Sequence, residues 1–194
     1  MLQLIIASHN VHKCQEIQAM LGDMAVLTDL NDNNIHDEIP ETGDTFEANA
    51  LQKARFVYER TGADCFADDS GLMVDALGGA PGVMSARYAG EPSDMAKNID
   101  LLLHNLTGVD NRSARFVTVI AAIIDGKEHL FRGEVKGQII SSLRGTGGFG
   151  YDPLFVPDGY SDTFAQLPAE VKNSISHRAR AIGRLRDFII NTNK

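Results

Sequence analysis

Two runs rich in β-branched and aromatic residues, Arg115 to Ile124 and His129 to Ile140, flank Asp125-Gly126. Asp-Gly suits a tight hairpin because both central residues of that turn take positive φ. A long antiparallel hairpin is therefore expected near the middle of the chain. The N-terminus has a different pattern. Leu2 to Ala7 is a continuous apolar run that reads as a buried strand. Ser8-His9-Asn10 follows as a turn, then a helix from His12 to Leu21 with Ile17, Met20 and Leu21 on its apolar stripe. Strand, turn and helix belong with parallel pairing, and a hairpin with antiparallel pairing. Together they predict an α/β protein with helices packed on a mixed sheet.

The remaining elements fit that frame. Ala25 to Leu27 reads as a short strand and Asp29 to Gly43 as a polar, acidic loop. Asp44 is expected to cap a helix, with Glu47 three residues on as its capping-box partner and Gly62 as its end. Phe46, Ala50, Ala54 and Val57 share one face of that helix; Asn49 and Lys53, four apart, share another. Gly78 to Gly82 reads as a loop continued by Ser85 to Tyr88. Met95, Ile99, Leu102, Leu103 and Leu106 mark a helix, and Ile182, Leu185 and Ile189 mark the last one, from Ser176 to Ile190.

With 194 residues and 43% hydrophobic content, the chain is expected to form one domain spanning 1–194. A net charge of −8 argues against broad binding to nucleic acid or anionic membranes. Two cysteines, Cys14 and Cys65, make neither a disulfide scaffold nor a metal-type spacing. The apolar start is too short for a signal or transmembrane segment, so a cytoplasmic location is the default expectation.

Four places carry groups that can do chemistry. Ala67-Asp68-Asp69-Ser70-Gly71 ends an apolar run and reads as a strand leaving the core at a site edge. Successive side chains on a strand alternate, so only one of the two aspartates faces a given pocket. There it can ligate a hard cation or take a proton from water; an Asp-rich turn is the bland alternative. Glu41, in the acidic loop, can complete a Mg²⁺ site with Asp69. Ser8, His9, Asn10, Val11, His12 and Lys13 lie at a strand-to-helix turn, where unpaired backbone N–H groups favour an anion. The alternative there is an ordinary N-cap beside a solvated lysine.

Gly145, Gly147 and Gly150 form a literal G-x-G-x-x-G, but Pro153 and Pro157 follow where the dinucleotide fingerprint needs a helix, so that reading is rejected. The loop instead offers Phe149, Gly150, Tyr151 and Asp152: an aromatic to stack on a base and a carboxylate to bond its edge, unless both aromatics are simply core. Lys172, His177 and Arg178 gather donors around the start of the last helix, as an anion or carbonyl site or as a solvated basic face.

These motifs, in this order, resemble the inosine triphosphate pyrophosphatase family, the non-standard purine NTP pyrophosphatases. The matching residues are Ser8-x-Asn10-x-x-Lys13-x-x-Glu16, Thr45-Phe46-x-x-Asn49-Ala50-x-x-Lys53-Ala54, Ala67 to Leu72, Leu77 to Tyr88, Gly147 to Pro153, and Lys172-Asn173-x-x-Ser176-His177-Arg178. The resemblance covers nearly the whole chain. It implies an elongated two-lobed fold with the nucleotide in a cleft between lobes, and a homodimer. It also implies hydrolysis of ITP, dITP or XTP to the monophosphate and pyrophosphate, clearing deaminated purines from the nucleotide pool.

By the same resemblance Asp69 is the catalytic carboxylate and, with Glu41, contacts Mg²⁺. Ser8 to Lys13 hold the triphosphate with Ser70 close by, and Lys53 is a weaker candidate for offsetting phosphate charge. Phe149, Gly150, Tyr151 and Asp152 bind the nucleoside, and Lys172, His177 and Arg178 complete the purine pocket. His12 stands where the family has Gly, which is costly for the phosphate loop if that position needs positive φ and harmless if it is helical. The rival readings are a septum-inhibitor (Maf) type pyrophosphatase and a catalytically silent purine-nucleotide-binding protein.

Overall fold

The computed structural model describes residues 2–9 and 11–192, apart from the side chains of His12 and Glu16. Asn10 therefore lies outside the described residues, as does the His12 side chain.

The N-terminal strand β1 (Leu2–Ile6) turns directly into helix α1 (Val11–Leu21), and a short strand β2 (Ala25–Thr28) follows. β1 pairs with β2 in parallel, Leu2 opposite Ala25 and Ile5 opposite Thr28. Helix α2 (Phe46–Thr61) leads into strand β3 (Cys65–Val74), which is parallel to β1 with Ile5 opposite Cys65. After helix α3 (Met95–Asn105), strands β4 (Ser113–Ile124) and β5 (Lys127–Ile139) are neighbours joined through Asp125-Gly126. Both turn residues have positive φ, 50° and 71°, as the Asp-Gly pair predicts. Strand β6 (Phe155–Pro157) runs antiparallel to β5, and helices α4 (Ala169–Ile175) and α5 (His177–Thr192) complete the chain. The strand order β2-β1-β3-β4-β5-β6 is the expected mixed sheet.

The chain divides into two compact units. The first comprises 1–69, 118–133 and 179–194. Its core includes Leu4, Ile6, Ile17, Leu21, Phe66 and Ile120 with Ile182, Leu185 and Ile189 of α5. The second comprises 70–117 and 134–178, and its core joins Leu72 and Val74 to Ile99, Leu102, Phe116, Phe155 and Phe164. Among the described residues no helix is long and apolar enough to cross a membrane.

Several expectations are corrected. Asp68 and Asp69 do not end a strand; β3 continues through them to Val74, with both carboxylates buried. Ser85 to Arg87 belong to a 3₁₀ helix, Gly82–Arg87, rather than a loop. The seven-residue α4 was not anticipated. The N-cap of α2 is Thr45, whose hydroxyl accepts from the Ala48 N–H at 3.1 Å. Glu47 does not reach back to a cap; it pairs with Arg132 at 2.9 Å. The helix does end on Gly62, in the left-handed conformation at φ 65°.

The cap assignment is open to a direct test. Thr45→Ala is expected to cost about 1 kcal/mol in urea unfolding. Asp44→Ala should stay within about 0.5 kcal/mol of the parent.

Candidate active site

In the first unit, helix α2 and strand β3 bring chemistry-bearing groups together. Asn49, Lys53, Asp68 and Asp69 are all buried, with Asp69 only 8% exposed. Alternation along β3 separates the two aspartates as expected. Asp68 forms an ion pair with Lys13 of α1. Asp69 accepts a hydrogen bond from Asn49 Nδ2 at 3.1 Å and lies 3.7 Å from Lys53 Nζ. Lys53 also donates to Glu41, so two carboxylates converge on one ammonium. Ser70 follows on the same strand, half-buried.

Burial raises the Asp69 carboxyl above its ordinary value of 3.8. The Lys53 charge and the Asn49 hydrogen bond pull it down, while Glu41 and Asp68 push it further up. The two thiols are poor nucleophiles by comparison: burial pushes Cys14 up to about 11 and Cys65 up to about 12.

The residue set fits a hard divalent cation. Among the described residues no three His, Cys, Asp or Glu side chains gather into a metal cluster. Glu41 and Asp69 nevertheless form an all-oxygen pair already drawn toward a positive charge. Such a pair suits a hard divalent cation whose remaining positions are filled by water and substrate phosphates.

The turn after β1 is only partly described. Ser8 is half-buried, and its carbonyl accepts from the Leu30 N–H at 3.3 Å. His9 reaches the acidic loop, with Nδ1 3.2 Å from Asn31 Oδ1 and Nε2 3.4 Å from the Asp37 carbonyl. Val11 is exposed at the start of α1. Position 12 lies within α1, so a non-glycine residue there carries no left-handed strain.

In the second unit, the glycine loop holds Phe149 outward, 61% exposed. Lys172 Nζ sits 5.1 Å and Arg178 Cζ 5.8 Å from the centre of that ring. Asp152 is buried, and its Oδ2 accepts from the Phe149 N–H at 2.8 Å and from Lys172 Nζ at 2.6 Å. This cage forbids a side chain at position 148, where a Cβ would lie 2.1 Å from Asp152 Oδ2. The Gly150 N–H points to Met95 Sδ at 3.1 Å. Tyr151 is core: it is 4% exposed, burial pushes its phenol up, and its hydroxyl donates to the Ser85 carbonyl at 2.9 Å. His177 opens α5, buried and stacked on Phe116 with centroids 4.9 Å apart. The structure thus gathers Phe149, Asp152, Lys172 and Arg178, and assigns Tyr151 to packing.

Sequence reasoning missed three participants. The sequence reading puts Asn49 on the face of Lys53 but gives it no task, does not match Asp68 with Lys13, and omits Gln52, which accepts from the Thr42 N–H at 3.0 Å beside Glu41. A buried Asn within a helix, where its propensity is poor, was the available signal for the first.

A model of the Ham1 family matches residues 4–188. The chain is 48% identical over 191 residues to the dITP/XTP pyrophosphatase of Flavobacterium johnsoniae, covering 98% of this chain and 100% of that protein. It is 50% identical over 191 residues to the dITP/XTP pyrophosphatase of Porphyromonas gingivalis, covering 98% of each. Among solved structures, the Ham1 protein of Staphylococcus aureus matches with a TM-score of 0.92 at 38% identity, covering 99% of this chain and 100% of that one. A HAM1 protein from Coxiella burnetii matches at 0.93 and 38% identity, covering 98% and 100%.

The elevated Asp69 carboxyl has a consequence for stability. A group whose folded pKa is raised contributes stability below its unfolded value, here 3.8, and loses it as pH rises through the folded value. Asp69→Asn is therefore expected to be more resistant to urea than the parent at pH 7. The difference should shrink as pH falls toward 3.8, measured as unfolding midpoints at pH 7, 5 and 4.

Proposed function

The chain belongs to the Ham1 family, and on that premise we propose that it hydrolyses dITP, XTP and ITP to the monophosphate and pyrophosphate. The observation that carries this reading is the cluster of buried Asp69 and Lys53 with half-buried Glu41, supported by relatives named dITP/XTP pyrophosphatase at about half identity over almost the whole chain. The two units serve one catalytic domain, in a cytoplasmic homodimer that consumes free nucleotides.

Asp69 orients the attacking water and accepts its proton. A carboxylate of ordinary pKa is a weak base for that task, and burial moves the Asp69 carboxyl upward from its ordinary value. Lys53 holds Asp69 and Glu41 in place and, with Lys13, offsets charge on the phosphates as the α-phosphorus is attacked and pyrophosphate leaves. The backbone and side chains from Ser8 through His9, Asn10, Val11 and His12 complete the phosphate end with Ser70. A divalent cation, Mg²⁺ in our reading, would be held by Asp69 and Glu41; when bound it supplies charge neutralisation and lowers the pKa of coordinated water.

At the base end, Phe149 offers an exposed face and Gly150 the backbone beside it. Asp152 works indirectly, by fixing the Phe149 amide and the Lys172 ammonium. Tyr151 anchors the loop through Ser85. An ammonium carries three donors, so the bond to Asp152 leaves Lys172 able to donate to the carbonyl at C6 of hypoxanthine or xanthine. Together with His177 and Arg178 it would oppose the amino group of adenine, donor against donor.

Pyrophosphate release from ITP, XTP, dITP, GTP, ATP and dTTP, with Mg²⁺ and with EDTA, tests the reading. Metal-dependent release from ITP and XTP with little from ATP is expected; release chiefly from dTTP overturns the purine assignment. Asp69→Asn should lower turnover by about 10²–10⁴-fold. Arg178→Ala should narrow the ITP-over-ATP preference about tenfold or more, and an unchanged ratio removes it from base selection.

A further inference from the structure

Asn49 is fully buried in the second turn of α2. Both ends of its amide are used. Nδ2 donates to Asp69 Oδ2 at 3.1 Å, and Oδ1 accepts the Gly43 N–H at 2.7 Å. The chemistry fixes which end is which, since a carboxylate needs a donor and a backbone N–H needs an acceptor. No other side chain of this size offers both: Asp would set a second carboxylate against Asp69, and Leu would leave two buried polar groups unmatched.

The neighbouring helix positions extend the pattern. Gln52 accepts from the Thr42 N–H at 3.0 Å and donates to Thr42 Oγ1 at 3.1 Å, and Lys53 binds Glu41. Glu41, Thr42 and Gly43 are thus each gripped by α2, in reverse order along the helix. Gly43 is required for this approach, because a Cβ there would lie 2.7 Å from Ala48 Cβ and 2.8 Å from Asn49 Oδ1.

We propose that Asn49 is a positioning residue of the hydrolytic site, holding the Asp69 carboxylate and the Glu41 segment in a fixed relation through its two amide ends. The role rests on the functions proposed above for Asp69 and Glu41. Asn49 occupies Asp69 Oδ2 and leaves Oδ1 on the side of Lys53. Losing it frees the carboxylate to rotate and releases the Glu41 segment at Gly43.

The test compares Asn49→Ala, Gly43→Ala, their double variant and Gln52→Ala with the parent, by steady-state kinetics on ITP with Mg²⁺ and by the ¹H–¹⁵N spectrum of the free protein. Asn49→Ala is expected to lower kcat about 10–100-fold. KM for ITP should stay within about threefold, because the groups assigned to the base and phosphates are untouched. The Mg²⁺ concentration for half-maximal rate should rise, and the Gly43 amide resonance should move upfield as its bond is lost. Gly43→Ala should act in the same direction, and the double variant should be little worse than Asn49→Ala, because both changes disrupt the contact between Asn49 Oδ1 and the Gly43 N–H. Gln52→Ala loosens the same segment at Thr42 with the Asn49 amide intact, so it should lower kcat more weakly and leave the Gly43 resonance near its parent position; Gly43→Ala serves if Asn49→Ala does not fold. An unmoved Gly43 resonance in Asn49→Ala, fully additive losses, or a rise in KM without a fall in kcat would each overturn the proposal. If the parent itself releases no pyrophosphate, the functional reading fails, while the Gly43 resonance still decides whether Asn49 holds the segment.

Discussion

The Asp69 carboxylate is 8% exposed, and removing an ionised carboxylate from water costs several kcal/mol unless neighbours replace the lost hydration. Much of the local architecture of the first unit supplies that replacement. Lys53 and Asn49 must lie on one face of α2, four residues apart, to reach the same strand residue. The other face of α2 carries Phe46, Ala50, Ala54 and Val57 into the core, which fixes the rotation of the helix about its axis. The burial of a charge and the burial of an apolar stripe thus set the same helix orientation.

Asp68 pairs with Lys13, while Asp69 and Glu41 share Lys53, so three carboxylates lie close to one another in the first unit. Burial raises the Asp69 carboxyl, and the neighbouring Glu41 and Asp68 push it further the same way. The arrangement also bears on the proposed chemistry. The three carboxylates would repel a bare triphosphate, whereas a nucleotide carrying a divalent cation would bring positive charge with it. A carboxyl raised mainly by burial is a stronger base than an exposed aspartate, at the cost of stability at neutral pH, a trade that active sites commonly show.

The sequence disclosed what depends on local pattern and hid what depends on distant partners. The Asp125-Gly126 hairpin, the parallel N-terminal strands and the apolar stripes of α2, α3 and α5 follow from period and turn chemistry, and all are present. The cap of α2 was misplaced by one residue because Asp44 and Thr45 both have capping side chains, and Glu47 three residues after Asp44 completes a familiar template. What decides against it is Arg132, 85 residues away, which takes Glu47. Asp68-Asp69 read as a strand end because paired charges rarely lie inside a sheet. Lys13, Asn49 and Lys53, which make that burial tolerable, are not adjacent in sequence. α4 has seven residues, too few to show a helical period.

The glycine loop shows the same limit in the second unit. Spacing alone could not say which of Phe149 and Tyr151 faces outward. The answer lies in where each can satisfy its polar atoms. Tyr151 carries a hydroxyl and can be buried only with a partner, which the Ser85 carbonyl provides. Phe149 has none to satisfy in its ring, and its backbone N–H is already taken by Asp152, so the ring is left exposed beside Lys172 and Arg178. A phenylalanine held in water between two cations gains little from folding alone. On the base-binding role proposed above, an oxopurine would present both a face to stack on the ring and a carbonyl for the flanking donors.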